Sequence, residues 1–195
     1  LAASLGENSM NELKTKLAKL LLELSYKEGD FTLTSGKKSE YYFDCKQTAL
    51  HAEGSYLIGR LFVEMLKDFD AKGVGGMTLG ADPLISSVTV VSHLEGLPMP
   101  GFIIRKKSKG HGTDQYLEGL ANFSEGDKVV LLEDVCTTGG TLITAAERVR
   151  DAGLEIVGVL AVLDREEGGR AKLKEAGLEL SSIFTRAELK SAGGM

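Results

Sequence analysis

The sequence predicts an α/β protein: an open, mainly parallel five-stranded sheet flanked by helices, with a small N-terminal subdomain. Three observations predict it. Short apolar runs recur at about residues 73–78, 101–105, 129–133, 156–163 and 179–184, each of strand length. Stretches of helical period separate most of them, the rhythm of a parallel sheet whose strands are joined by crossover helices. The run Val129-Val-Leu-Leu132 contains no polar residue, as a strand buried on both faces requires.

Taken in order, Ser9-Met-Asn-Glu12 has the spacing of a capping box. Leu13, Leu17, Leu20, Leu21 and Leu24 then recur at helical spacing, and Gly29 is placed to stop that helix. Such a stripe faces a core, with a membrane or partner-binding face as the alternative. Phe31 and Leu33 alternate and Tyr41 to Phe43 is aromatic, so two antiparallel strands around Ser35-Gly36 are expected. Residues 10–50 thus read as a helix-and-hairpin subdomain of a single domain spanning 1–195. Leu57, Ile58, Leu61, Phe62, Met65 and Leu66 give a helix over 52–68. After the strand at 73–78, Leu79-Gly-Ala-Asp-Pro-Leu84 predicts a tight strand-to-helix connection with Pro83 at the first helical position. A helix over 83–91 and a strand at 101–104 follow. Beyond the central strand come a helix at 141–151 ended by Gly153, the strand at 156–163, a turn at 164–169, a short helix at 171–176 and a last strand. Thr185-Arg-Ala-Glu188 again has capping-box spacing before a final helix.

Composition excludes several classes. Hydrophobic residues make up 43% of the 195, enough to build a core. The net charge of −5 argues against a nucleic-acid surface over the whole protein. Cys45 and Cys136 are too few for a disulfide framework and lack metal-ligand spacing. No apolar run approaches the roughly 18 residues of a membrane span. Leu1 to Asn8 has neither the basic start nor the apolar centre of a secretion signal. A cytoplasmic setting, with neither nucleic acid nor membrane as partner, is the expectation.

The chemistry concentrates in Lys128-Val-Val-Leu-Leu-Glu-Asp-Val-Cys-Thr-Thr-Gly-Gly-Thr141. A buried strand leads to two adjacent carboxylates, Glu133 and Asp134, then to the turn Thr137, Thr138, Gly139, Gly140, Thr141 and a helix. Glycines let backbone N–H groups approach an anion, and a helix start presents unpaired donors at its positive end. Threonine hydroxyls add further donors. Carboxylates are wrong for phosphate but right for vicinal sugar hydroxyls, so one ligand satisfying both is a ribose 5-phosphate. The stretch lacks the Gly-Lys-Ser/Thr ending of a Walker loop and the G-x-G-x-x-G of a dinucleotide fold. The strand at 101–104 runs into Arg105-Lys-Lys-Ser-Lys-Gly-His-Gly-Thr-Asp114, four cations and a histidine that repel one another unless an anion is present. A solvated basic loop is the plain alternative. A nucleic-acid patch is weaker, because no aromatics interleave. His51 and His93 read as structural or exposed.

The 128–141 stretch resembles the phosphoribosyl diphosphate (PRPP) motif of the type I phosphoribosyltransferases. Three further segments resemble orotate phosphoribosyltransferases. Phe-x-Leu-x-Ser-Gly-x-x-Ser-x-x-Tyr at 31–42 is similar to the family's hood over the base. Arg-Lys-x-x-Lys-x-His-Gly at 105–112 is similar to its catalytic loop, and Leu-Asp-Arg-x-Glu at 163–167 to its orotate-binding turn. The resemblance implies that Lys106, Lys109 and His111 are catalytic and, with Arg105, engage the diphosphate. It implies that Leu79 and Gly80 offer backbone donors, and that Glu133, Asp134, Val135, Cys136, Thr137, Thr138, Gly139, Gly140 and Thr141 hold PRPP. Tyr42, Phe43, Thr137 and Arg165 would take orotate. It further implies Mg²⁺ carried by PRPP rather than by a dedicated protein site, and a homodimer in which the loop serves the neighbouring subunit. Thr34 and Gly80 depart from the pattern, standing where some members carry lysine. Cys136 lies inside the motif, so a thiol reagent is expected to inhibit and PRPP to protect. A phosphoribosyltransferase for another base, or a PRPP-sensing regulator that binds nucleic acid, are the rival readings.

Overall fold

The computed structural model describes residues 7–32, 38–108 and 115–192. Its centre is a sheet of six strands: β3 (Gly73–Met77), β4 (Gly101–Ile104), β5 (Leu117–Glu118), β6 (Lys128–Cys136), β7 (Glu155–Asp164) and β8 (Leu180–Thr185). Their order is β5-β4-β3-β6-β7-β8. Every pairing is parallel except that of β4 with β5. The five expected strands are therefore present. The sixth, at the edge, has only two residues, too few to show an alternation in the sequence.

Burial explains the central run. Val130 and Leu132 of β6, with Leu160 and Val162 of β7, belong to one apolar layer. Val129 and Leu131, with Val159 and Ala161, belong to the other. Because strand side chains alternate, a sheet covered on both faces must be apolar at every position. The first layer is completed by α1 (Glu7–Leu20), α3 (Ala52–Leu66) and α4 (Asp82–Leu94), through residues such as Leu17, Phe62 and Val88. The second is completed by α5 (Gly140–Asp151) and α6 (Gly169–Glu175), through Leu142, Val149 and Leu173.

The N-terminal subdomain differs in detail from expectation. The helix starts at Glu7, so Ser9 lies inside it rather than at a cap, and a π-helical turn, Leu21–Ser25, follows. Gly29 lies within β1 (Tyr26–Thr32) instead of ending a helix. Tyr26, Lys27 and Glu28 pair antiparallel with Phe43, Tyr42 and Tyr41 of β2 (Lys38–Phe43), and this pairing overrides the helical pattern. The apolar stripe that runs from α1 into the π-helical turn is spent on the protein's own core, with Leu17 and Leu21 fully buried. A short α2 (Lys46–Ala49) carries the chain to α3. At the other end, α7 (Arg186–Ala192) starts with a reciprocal cap. The Thr185 N–H donates to Glu188 Oε2 at 2.7 Å, and the Glu188 N–H donates to Thr185 Oγ1 at 3.2 Å. No helix among the described residues is long and apolar enough to cross a membrane.

Candidate active site

From β3 the chain builds the sheet outward through β4 and β5; from β6 it builds the other way through β7 and β8. The crevice beyond the carboxyl ends of β3 and β6 is thus a topological switch point, where open α/β sheets take ligands. The carboxyl end of β3 carries Thr78, Leu79 and Gly80; that of β6 carries the acidic pair and the hydroxyl–glycine turn.

The strand β6 runs through the acidic pair instead of ending before it, since Val135 and Cys136 still pair with Leu163 and Asp164. Glu133 is consequently 8% exposed. Burial, then the neighbouring Asp134 carboxyl, push its carboxyl well above the ordinary glutamate range; the charge of Lys106 opposes the rise. A carboxyl that holds its proton more tightly folded than unfolded costs stability as pH rises through the raised value, and costs none in acid. Glu133→Gln removes that ionisation. The variant's melting temperature minus that of the unmutated protein should grow as pH rises above the ordinary glutamate range, and a constant difference would refute the assignment.

Asp134 is half-buried, with Oδ1 accepting the Val135 N–H at 2.9 Å. Gly80 stands so close that an added Cβ would lie 2.6 Å from that oxygen. Any side chain at position 80 would have to displace the carboxylate, so glycine draws the two loops together. Thr78 Oγ1 donates to Asp82 Oδ2 at 2.8 Å, tying the loop to the first turn of α4. Pro83 occupies the second helical position, one later than expected. Leu79 is exposed.

After Cys136, Gly139 adopts φ 76°, the left-handed conformation glycine accepts without strain, and caps α5. Residues 133 and 135–142 line a small cleft of about 90 Å³ at that helix start. No acidic residue occupies the first turn of α5, so the helix start itself does not oppose an anion. The Cys136 side chain turns away into the second apolar layer. Burial first, then the charges of Asp164 and Glu133, push its thiol up to about 11. This reverses the expectation of a reactive thiol. The native protein should resist a thiol reagent that labels the denatured chain rapidly, and fast PRPP-sensitive labelling would show the sulfur to be accessible after all.

The turn after β7 abuts the turn after β6: the Arg165 N–H donates to the Cys136 carbonyl at 2.9 Å, and the Gly169 N–H to the Thr137 carbonyl at 3.1 Å. Asp164 organises this turn, accepting Arg170 Nε at 3.1 Å and the Glu166 N–H at 2.9 Å. Arg165 is 7% exposed; its guanidinium lies 4.6 Å from the Tyr41 ring centre and pairs with Glu167 at 2.9 Å. Of the aromatic pair expected to face a base, Tyr42 is 43% exposed and touches Phe31, whereas Phe43 sits in the first apolar layer. Strand alternation separates the two. Tyr41, on the Phe43 side, is the aromatic that Arg165 meets.

Arg105 and Lys106 follow β4, Arg105 pairing with Glu118 at 3.0 Å and Lys106 exposed. Lys109, His111 and Thr34 lie outside the described residues. One cation had no signal in the sequence. Lys46, on the short α2, lines a hollow of about 580 Å³ with Leu50, Ser55, Leu79, Asp82 and Pro83. Its ammonium is held above the ordinary lysine range, first by its hydrogen bond to Asp44 and more weakly by the charges of Asp44 and Asp134. His51 caps α3, its Nδ1 accepting the Gly54 N–H at 3.4 Å, and His93 is exposed.

Residues 75–183 match the family model described as the phosphoribosyl transferase domain. The chain is 46% identical over 181 residues to the orotate phosphoribosyltransferase of Nostoc sp., covering 93% of this chain and 87% of that protein. The chain belongs to the orotate phosphoribosyltransferase family. The orotate phosphoribosyltransferase of Mycobacterium tuberculosis H37Rv has a similar fold. Its Fe(III) dicitrate complex superposes with a TM-score of 0.80 at 39% identity, covering 91% of this chain and 98% of that one. Its complex with PRPP gives 0.76 at 37% identity with the same coverage. As a member of the orotate phosphoribosyltransferases, the chain is a pentosyltransferase. Its switch-point crevice is the part of the fold where the acidic pair, the hydroxyl–glycine turn and Arg165 meet.

Proposed function

We propose that the protein transfers the 5-phosphoribosyl group from PRPP to orotate, giving orotidine 5′-monophosphate and diphosphate, as a step of pyrimidine synthesis. The observation that carries this reading is the convergence at one sheet edge of a carboxylate pair, an anion-suited helix start and a buried arginine. In it, the backbone and hydroxyls of Thr137 to Thr141 hold the 5′-phosphate, and Glu133 and Asp134 accept hydrogen bonds from the ribose hydroxyls. Leu79 and Gly80 turn backbone donors to the diphosphate. Arg165, beside Thr137 and below the hood strand that bears Tyr42 and Phe43, takes the orotate carboxylate or carbonyl, for which its planar fork is suited. An incoming carboxylate would replace Glu167 as its partner.

As the bond from ribose C1 to the diphosphate oxygen breaks, positive charge grows on C1 and negative charge on the leaving oxygens; the orotate ring nitrogen then bonds to C1. The protein's work is to align that nitrogen and to stabilise the separated charge. Arg105, Lys106, Lys109 and His111 meet the leaving group, and a site closed to water would spare the ribosyl centre from hydrolysis. Among the described residues no three His, Cys, Asp or Glu side chains converge to hold a metal. Glu133 and Asp134 are hard oxygen donors that suit Mg²⁺ arriving on PRPP with its waters. When carried in on PRPP, Mg²⁺ would supply positive charge against the diphosphate. We further propose a homodimer whose basic segment serves the neighbouring subunit, one domain over 1–195 with residues 10–50 as the hood, and a cytoplasmic location.

The test is the absorbance loss as orotate is consumed, with and without PRPP and Mg²⁺. Loss only with all three present supports the reading. Consumption of PRPP with a purine but not with orotate would overturn the choice of base.

A further inference from the structure

We propose that Arg148 is a positioning residue that clamps both stems of the basic segment and so fixes where Lys106 stands. This rests on the reading above that Lys106 meets the diphosphate. Arg148 lies on α5, the helix whose start borders the hydroxyl–glycine turn. Eight residues after Gly140, it is about 12 Å along the axis at 1.5 Å per residue. Its Nη1 donates to the Arg105 carbonyl at 2.7 Å and lies 3.6 Å from Met77 Sδ, and its Nη2 donates to the Lys106 carbonyl at 3.4 Å. Its guanidinium carbon sits 4.1 Å from the centre of the Tyr116 ring. The two stems meet there, since the Arg105 N–H donates to the Tyr116 carbonyl at 2.7 Å.

This arrangement needs an explanation, because charge alone opposes it. Arg148 bonds the carbonyls of Arg105 and Lys106 and so adds a cation to a basic stretch in which Glu118 pairs with Arg105. What holds it is geometric. β4 ends at Ile104, leaving the carbonyls of 105 and 106 beyond most of the ladder, and only a forked donor can take both while its flat face covers an aromatic ring. The helix that borders the phosphate-suited turn therefore also fixes the root of the segment carrying the cations.

A merely structural Arg148 would affect melting temperature, and kcat in proportion to folded protein, whatever residue stands at 106. A positioning residue behaves otherwise. Arg148→Met should lower kcat about tenfold while KM for orotate changes less than about twofold. Arg148→Lys should recover part of the loss, keeping one donor but neither fork nor stack. In a Lys106→Ala background the further effect of Arg148→Met should shrink to within about threefold, because the group it positions is gone. If Arg148→Met does not fold, Tyr116→Leu withdraws the ring instead and is measured in the same two backgrounds. Unchanged kcat, equal losses in both backgrounds, or a loss confined to KM for orotate overturns the clamp. Wild-type turnover in Lys106→Ala itself would overturn the role of Lys106 and the clamp together, and that single variant tells this outcome from failure of the clamp alone.

Discussion

Alanine at Lys109 or Lys106 is expected to lower kcat about 100-fold while KM for orotate stays within about threefold. The reason is where charge develops. Bound PRPP already carries its phosphate charges, but the leaving oxygens gain more only as the bond to C1 breaks. A cation aimed at them therefore stabilises the transition state more than the bound substrates. Lys106 is exposed at the root of the basic segment, just past β4, with its ammonium free to meet an anion. Lys109 follows three residues later on the same basic segment. Steady-state kinetics on the two variants decide the matter. Wild-type turnover in either would remove that residue from the chemistry.

Asp134→Asn is expected to weaken PRPP binding about 10- to 100-fold, the range for losing a charged hydrogen-bond acceptor. Asparagine keeps the shape, so the close approach of Gly80 is preserved and the loss isolates the charge. Asp134 is only half-buried and its carboxylate accepts the neighbouring Val135 N–H, a bond that asparagine Oδ1 can keep, so the variant should fold. Calorimetric titration with PRPP reads the affinity directly. An unchanged dissociation constant would end the assignment of the diol to this carboxylate.

Much of the sheet was legible because a parallel strand must be apolar on both faces, and the runs at 129–132 and 156–163 have no competing period. The hydroxyl–glycine turn was legible for a different reason: glycines and threonines gather between a strand and a helix start, and the structure gives Gly139 the left-handed backbone that glycine accepts. The cap at Thr185–Glu188 has the expected reciprocal bonds, whereas the same spacing at Ser9–Glu12 does not mark a helix start, because α1 begins at Glu7. A capping box is a local preference and does not by itself decide where a helix starts. What the sequence hid were groups placed by tertiary contact. Lys46 sits on a four-residue helix with no periodic signal, Arg148 reads as one charge among several on α5, and Tyr41 meets Arg165 only because strand alternation turns it inward. Cys136 shows the same limit: its place in the motif suggested access, while its side chain follows the sheet.

Among the described residues the two apolar layers lie on opposite faces of the sheet, Val130 and Leu132 facing one way and Val129 and Leu131 the other. Losses or gains of packing on opposite sides should therefore sum almost independently. An engineer seeking a hardier catalyst can tune the side of Phe62 and Val88, then the side of Leu142 and Val149, and combine the winners without expecting one set to undo the other.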